Sequence, residues 1–256
     1  LDIARLQTFA PRMRRIGLSA TVDDPDLVRR WLGMNRPPPE EEALADHTVD
    51  LVLGAGGAQP IVEVLVSGGR VPWAGHTAEH AMAEVYEIIK SAKTALVFVN
   101  TRFQAEFAFQ ELWKLNEDGL AIALHHGSLA AEQRRKVEAA MARGEIRAVV
   151  CTSTLDMGID WGDVDLVIQL AAPKGASRMV QRIGRANHRL DEPSRALLVP
   201  ASRFEMLECR AAADAIRRAH ADCCARTEAG AGAKAGCART RARTGTAARR
   251  ADRCRL

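Results

Sequence analysis

Residues 151–189, CTSTLDMGIDWGDVDLVIQLAAPKGASRMVQRIGRANHR, decide how the chain is organised. Their centre, residues 164–170, is a largely apolar run of strand length, which predicts a buried strand. Polar clusters flank this strand on both sides. The first contains Thr152, Asp156, Gly158 and Asp160, and the second contains Gln181, Arg182, Gly184, Arg185, His188 and Arg189. Because open α/β sheets build ligand sites from the loops at strand ends, both clusters are candidate site residues.

Strand and helix patterns alternate along the chain from residue 61 onward. The predicted strands are residues 61–66, 94–99, 120–124, 147–151, 164–170 and 195–200. The predicted helices are residues 77–90, 104–115, 130–141, 177–186 and 202–218. This alternation indicates an α/β fold in which right-handed crossovers join the strands of a parallel sheet.

The first 60 residues follow a less regular pattern. It predicts a helix that ends at residue 9, short strands at residues 13–18 and 49–53, and a helix that Asp23 or Asp24 caps and that runs to residue 32. A glycine-rich turn at residues 54–60 predicts a domain boundary. We therefore expect one unit over residues 1–54 and a larger one over residues 55–220.

The last 36 residues differ in composition from the rest of the chain. Residues 221–255 contain no Leu, Ile, Val, Met, Phe, Tyr or Trp. Such a segment buries too little apolar surface to offset the entropy of ordering, so we expect a disordered basic tail over residues 221–256. Its abrupt start is also typical of a frameshift. A basic arm that binds nucleic acid is the alternative.

Composition and charge limit the functional classes. The net charge is +4, but residues 221–256 contribute +6 of it, so residues 1–220 carry −2. Any nucleic-acid site in the folded part must therefore be a local groove. No apolar run reaches the length of about 18 residues that indicates a membrane span. The chain has no Cys-x-x-Cys pair and no signal-peptide pattern, so we expect a cytoplasmic protein without a structural zinc site.

Hydroxyl and guanidinium groups follow two of the predicted strands. Thr101 and Arg102 come directly after residues 94–99, and Thr152 comes directly after residues 147–151. Such groups at strand ends can hold the phosphates of a nucleic acid. A helix N-cap is the alternative role for Thr101.

Three other patterns suggest different chemistry. His76 and His80 fit the inverted zinc-protease pattern H-x-x-E-H, which would place both rings on one helical face. The glycines at residues 54–57 follow a predicted strand, but Gln59 breaks the dinucleotide-binding pattern. His125 and His126 have no third ligand at metal spacing, so they are predicted to end a strand.

In their order, the motifs resemble those of the superfamily-two helicases, the DEAD/DExH translocases. Ser19-Ala20-Thr21 resembles motif III, residues 97–102 resemble motif IV, and the two clusters of residues 151–189 resemble motifs V and VI. This resemblance implies that residues 55–220 form a RecA-like second helicase domain, a parallel sheet flanked by helices. It also implies that residues 1–54 are the remnant of a first RecA-like, ATP-binding domain.

The resemblance also implies roles for individual residues. Thr101, Arg102, Thr152 and Ser153 would bind nucleic acid, and Ser19 and Thr21 would couple the two domains. Gly158, Asp160 and Arg182 would bind the nucleotide, with Asp160 on its ribose. Arg185 matches the first arginine finger, Gln181 belongs to the same catalytic motif, and either His188 or Arg189 takes the position of the second finger.

More narrowly, the segments LHHGSL, APKGASR and QRIGRANHR are similar to those of the Lhr-type (large helicase-related) branch, and most of all to the ligase-associated DEXH-box helicases. Those helicases are linked with DNA repair. The resemblance implies ATP and Mg²⁺ as cofactors, DNA as the nucleic acid, and a repair ligase or nuclease as possible partners.

Two motifs of these helicases are missing from this sequence. It has no G-x-x-x-x-G-K-[ST] loop and no D-E-x-H, the motifs that hold the phosphates and Mg²⁺. The chain also lacks an initiator Met, so we expect a partial helicase. A nucleic-acid-binding module without catalysis and a zinc hydrolase that uses His76 and His80 are the alternatives.

Overall fold

The computed structural model describes residues 2–19, 22, 24–33, 49–52, 58–156, 164–186 and 193–234, and only the helical backbone for residues 219–234. The helices are α1 Asp2–Phe9, α2 Pro25–Gly33, α3 Met82–Ser91, α4 Arg102–Lys114, α5 Ala131–Ala142, α6 Ala176–Ile183 and α7 Arg203–Lys234. The strands are β1 Ile61–Val64, β2 Ala95–Phe98, β3 Ile122–His125, β4 Ala148–Cys151, β5 Leu166–Leu170 and β6 Arg195–Val199. Single 3₁₀ turns occupy Glu79–Ala81 and Ser153–Leu155.

All six strands form one parallel sheet in the order β1-β6-β5-β2-β4-β3. The predicted α/β class is thereby confirmed, and each observed strand lies within two residues of the ends that the sequence predicts. Because the strands are parallel, their carboxyl ends meet along one edge of the sheet, which we call the carboxyl edge. The loops that carry the predicted motifs IV and V leave the sheet there.

Helices cover both faces of the sheet. Along β2, Ala95 and Val97 pack with α3 and α4, whereas Leu96 and Phe98 pack with α5, α6 and α7 on the opposite face. This alternation follows from the two-residue period of a strand. Strands β2, β4 and β5 are buried along their whole length, which explains their nearly continuous apolar sequences.

Local signals in the sequence fix several of the helix ends. The Asp24 carboxylate accepts hydrogen bonds of 3.0 Å from the amides of Asp26 and Leu27, so this residue caps α2. Gly144 follows α5 with a φ of 68°, a backbone conformation that glycine adopts without the Cβ clash of other residues.

The structure differs from the sequence-based prediction in four places. The helix predicted from residue 77 begins as a 3₁₀ turn at Glu79 and as α3 at Met82. Residues 13–18 and 49–52, predicted to be strands, are not strands, because extended segments become strands only when a neighbouring strand pairs with them. Helix α7 continues to Lys234, past residue 218 and into the segment predicted to be disordered. The high helix propensity of alanine and arginine accounts for this extension. Residues 235–256 and the glycines at 54–57 lie outside the described residues.

No helix among the described residues is long and apolar enough to cross a membrane.

Candidate functional site

The carboxyl edge brings the predicted phosphate-binding residues together. Thr101 follows β2 and Thr152 follows β4, and these strands are neighbours with Phe98 paired to Cys151. The amide of Val99 donates to the Cys151 carbonyl at 2.9 Å, so the pairing continues up to both loops. Ser153 is exposed in the turn after Thr152. The sheet order therefore places the two segments that resemble motifs IV and V side by side.

Thr101 also begins helix α4 as part of a capping box. Its hydroxyl accepts a hydrogen bond of 3.2 Å from the Gln104 amide, and the Gln104 side-chain oxygen accepts one of 3.0 Å from the Thr101 amide. The capping role named as the alternative for Thr101 is thus present. The cap leaves Thr101 and Arg102 exposed at the edge, where Arg102 pairs with Glu106 at 3.1 Å.

Lys174, in the loop after β5, is a cationic residue that was not among the predicted site residues. Asn100 donates from its side-chain amide to the Ala172 carbonyl at 2.8 Å, which fixes this loop beside Thr101. Lys174 follows two residues later and is exposed. The signal for it was the basic residue in the segment APKGASR, directly after a buried strand.

Arg182 is almost completely buried, with 2% of its surface exposed. Its Nε donates to Asp156 Oδ1 at 2.7 Å, and a second guanidinium nitrogen donates to the side-chain oxygen of Gln169. The guanidinium also lies 4.6 Å from the centre of the Phe98 ring. These internal partners engage the guanidinium within the chain, and the nucleotide contact implied for Arg182 stays a prediction. Through Asp156, Arg182 holds the loop after β4 against α6.

Arg185 lies in the turn that follows α6. The amide of Gly184 donates to the Val180 carbonyl at 2.9 Å, and the amide of Arg185 donates to the Arg182 carbonyl at 2.9 Å. The Arg185 side chain is half-buried, and its Nε is buried without a hydrogen-bond partner among the described residues. A buried guanidinium nitrogen without a partner is costly, so this site fits an anionic group such as a nucleotide phosphate.

The structure assigns no role to the other predicted site residues. Gln181 is half-buried on α6, and Ser19 is exposed in the first 60 residues. Thr21, Gly158, Asp160, His188 and Arg189 lie outside the described residues, so their roles stay predictions.

The two histidine patterns have different outcomes. His76 precedes the 3₁₀ turn Glu79–Ala81 and is not helical, so His76 and His80 do not share one helical face as the zinc pattern requires. Among the described residues no group of three His, Cys, Asp or Glu side chains could hold a metal ion. His125 is the last residue of β3, as predicted, and its ring contacts Thr154 Oγ1 at 2.8 Å and Glu138 Oε1 at 3.1 Å.

His126 is buried beside α4 at the carboxyl edge. Its Nε2 lies 3.5 Å from Glu106 Oε1, and neither ring nitrogen makes a hydrogen bond within the part of the chain that the structure describes. Burial lowers the pKa of His126, Glu106 opposes this shift, and the nearby Arg102 adds to it. Burial therefore favours the neutral form of His126 beside the Arg102–Glu106 pair, through a lowered pKa.

Comparison with known proteins agrees with this architecture. Residues 80–189 match the helicase conserved C-terminal domain. Over 211 residues the chain is 35% identical to the ATP-dependent helicase Lhr-Core protein 2 of Thermococcus barophilus, covering 82% of this chain and 24% of that protein. Over 212 residues it is 40% identical to the ATP-dependent helicase Lhr-Core of Methanocaldococcus jannaschii, covering 81% of this chain and 23% of that protein.

A solved structure gives the same result. The helicase Lhr of Mycobacterium smegmatis, bound to ssDNA and AMP-PNP, superposes on this chain with a TM-score of 0.67 at 30% identity. The match covers 84% of this chain and 28% of that one. The fold and the matched domain define the C-terminal, RecA-like region of a superfamily-two helicase. Within that superfamily, this chain is homologous to the Lhr-type ATP-dependent helicases, and it spans about a quarter of the length of the curated relatives named above.

Proposed function

We propose that this chain supplies the second RecA-like half of an ATP-driven translocase that moves along DNA. The relatives are named ATP-dependent helicases, and the Lhr helicase of Mycobacterium smegmatis is bound to ssDNA in its structure. In this chain the carboxyl edge presents hydroxyls and cations from neighbouring strand ends, namely Thr101, Arg102, Thr152 and Lys174. Such groups bind phosphates without reading the base sequence.

One observation carries the proposal. Arg182 ties the loop that begins at Thr152 to helix α6 through Asp156, and Arg185 follows three residues later with a buried Nε that lacks a partner among the described residues. A movement of Thr152 with a bound strand would therefore be transmitted through this buried ion pair to the position of Arg185. Such a rigid connection is what coupling between nucleic-acid binding and ATP hydrolysis needs.

The chemistry assigned to Arg185 follows from its guanidinium. When bound, ATP supplies a phosphoryl group whose transfer spreads negative charge over its oxygens. A planar guanidinium that keeps its charge at neutral pH suits this charge. The match with motif VI further suggests that His188 or Arg189 assists, and that Gly158 and Asp160 contact the nucleotide.

Other parts of the site belong to motifs that this sequence does not contain. The phosphate-binding loop and the carboxylates for Mg²⁺ are missing from the 256 residues. We therefore propose that this chain alone binds single-stranded DNA in a salt-dependent manner and does not hydrolyse ATP. A chain that binds DNA without hydrolysing ATP is the nucleic-acid-binding module without catalysis, the alternative function given above. DNA-stimulated ATP turnover by the purified chain would contradict it.

The cellular role is a further part of the proposal. The similarity of QRIGRANHR and APKGASR to the ligase-associated branch suggests a cytoplasmic role in DNA repair, with a ligase or nuclease as partner. Co-purification of the tagged protein with a DNA ligase or nuclease, dependent on neither DNA nor ATP, would test the partnership.

The experiment for the central proposal uses a full-length Lhr-type relative. Changing the residue aligned with Arg185 to Ala should lower DNA-stimulated ATP turnover by about 10³-fold or more, the range for arginine fingers in related NTPases. Nucleotide affinity should change much less, and Lys should not restore turnover because an ammonium lacks the planar fork. The residue aligned with the exposed Arg178, on helix α6 just before that turn, is the matched control. Near-normal turnover in the Ala variant would overturn the assignment.

A further inference from the structure

An exposed aromatic cluster lies at the start of helix α7, outside all the helicase motifs. Trp73 and Phe204 are 62% and 66% exposed, and their ring centres are 6.4 Å apart. The guanidinium of Arg203 lies 4.4 Å from the centre of the Trp73 ring. We call Trp73, Arg203 and Phe204 the aromatic cluster.

Backbone contacts hold the aromatic cluster in place. The amide of Arg203 donates to the Pro72 carbonyl at 3.0 Å, and its Nε donates to the Val71 carbonyl at 3.2 Å. These two bonds fix the loop before Trp73 onto the first turn of α7. The Trp73 ring is therefore presented to solvent from a fixed backbone, which lowers the entropic cost of binding a ligand on it.

The aromatic cluster lies on the same carboxyl edge as the proposed phosphate-binding residues. Helix α7 begins four residues after the end of β6, and Glu205 in its first turn accepts hydrogen bonds from the Ala201 amide at 2.9 Å and the Ala172 amide at 3.3 Å. The cluster thus adjoins the ends of β6 and β5. Since neighbouring strands lie about 4.8 Å apart, the end of β6 is about 10 Å from the end of β2, where Thr101 is found.

The charges around the aromatic cluster favour an anionic chain. Arg203 belongs to it, and exposed Lys174 follows the neighbouring strand β5. The adjoining carboxylate, Glu205, has a side chain only 16% exposed and is occupied by the two backbone amides. A surface of exposed aromatic rings and cations next to phosphate-binding groups fits a single-stranded nucleic acid.

We propose that Trp73 and Phe204 form a base-stacking site that extends the phosphate-binding edge toward β6 and β1. The ligand is an unpaired nucleobase of the same strand whose phosphates lie on Thr101, Arg102 and Thr152. This inference rests on the proposed function, since it assumes that the carboxyl edge carries the strand. Stacking on an aromatic ring is tolerant of sequence, as a translocating protein requires.

Binding to two oligonucleotides separates stacking from phosphate contacts. Fluorescence anisotropy measures the Kd of the 256-residue chain for labelled oligo(dT) and for an abasic strand with the same number of phosphates. Trp73→Ala and Phe204→Ala test the aromatic cluster. Trp113→Ala is the matched control, because Trp113 is 58% exposed and stacked on Phe109 at 5.9 Å but lies at the opposite end of α4 from the carboxyl edge.

The expected result is specific to the base. Trp73→Ala should weaken oligo(dT) binding by about 5- to 150-fold, the range found for loss of one stacked base, and should leave abasic binding unchanged. Trp73→Phe should keep most of the affinity. Trp113→Ala should bind both strands as the unmodified chain does. Because Trp73 is exposed, its replacement should leave the urea midpoint of unfolding unchanged.

The contrary outcomes are distinguishable. Equal loss on both strands would show that Trp73 does not act through the base, and it would overturn the inference. If Trp73→Ala binds the oligonucleotides as the unmodified chain does, while Arg102→Gln and Lys174→Gln bind them more weakly, the inference is also overturned. The proposed function then stands, and a protein partner for the aromatic cluster is favoured. No binding of either strand by the unmodified chain would overturn both.

Discussion

The guanidinium of Arg182 and the carboxylate of Asp156 form a buried ion pair, with Nε 2.7 Å from Oδ1 and a second nitrogen 3.4 Å from Oδ2. The pair joins two parts of the chain that are 26 residues apart. Asp156 directly follows the 3₁₀ turn after β4, and Arg182 is the penultimate residue of α6. The two regions that resemble motifs V and VI are therefore one packed unit.

Breaking this ion pair should destabilise the fold strongly. Arg182→Ala leaves the Asp156 carboxylate buried without its main partner, and loss of one member of a buried pair costs about 3–5 kcal/mol. Asp156→Ala should cost a similar amount, and the double variant much less than the sum because neither charge is then left alone. Urea unfolding measures all three.

Arg178 provides the control for this experiment. Its Nε is 3.7 Å from the same carboxylate, but its side chain is 47% exposed. Arg178→Ala should cost less than about 1 kcal/mol, as exposed ion pairs do. Additive losses for Arg182→Ala and Asp156→Ala would mean that the two side chains do not act as a pair.

Thr101 should matter for stability even without nucleic acid. Thr101→Ala removes the hydroxyl that caps α4 and should lower the free energy of unfolding by about 1 kcal/mol. Thr101→Ser keeps the hydroxyl and should restore most of the loss. Thermal unfolding of the unliganded chain measures both variants. If Thr101→Ala unfolds at the same temperature as the unmodified chain, the cap contributes nothing, and its hydroxyl is kept for binding alone.

Acid should destabilise the chain through His126. Burial lowers the pKa of His126 in the folded state, whereas in the unfolded chain the pKa is near 6.5. The unfolded state therefore binds the proton more readily. This contribution to stability is complete above about pH 6.5 and is lost as the pH falls below that value.

Substitution isolates this contribution from the other titrating groups. Between pH 7.5 and 5 the free energy of unfolding should fall less steeply in His126→Gln than in the unmodified chain. His76→Gln, which replaces a histidine whose side chain is 85% exposed, is the control substitution. Parallel pH profiles for His126→Gln and the unmodified chain would show that His126 is not held neutral.

Cations at the carboxyl edge should set the salt dependence of DNA binding. For single strands, each phosphate contact adds about 0.7 to the slope of log K against log salt concentration. Arg102→Gln and Lys174→Gln should each lower that slope by about this amount. Lys114→Gln, at the opposite end of α4, should not change it. A slope unaffected by both edge variants would place the strand elsewhere.

The sequence by itself determined the elements and part of the site. From residue 61 onward, the spacing of apolar residues predicted six strands and the helices between them. A strand that is buried on both faces is apolar throughout, whereas an element that is buried on one face carries apolar residues at regular intervals. It also predicted Thr101 and Thr152 as strand-end groups. In a parallel sheet all such groups emerge at one edge, so their proximity needed only the class of fold.

The tertiary structure decided which charged and aromatic groups meet. The order β1-β6-β5-β2-β4-β3 brings Gln169 beside Phe98, and Arg182 contacts both side chains. These buried contacts of Arg182 could not be read from the sequence. The same order places the end of β6 next to the loop after β1, so that Arg203 lies over Trp73, 130 positions away in the sequence. Periodicity records whether a residue is buried, but the partner across space depends on how crossovers arrange the strands, and no local pattern contains that information.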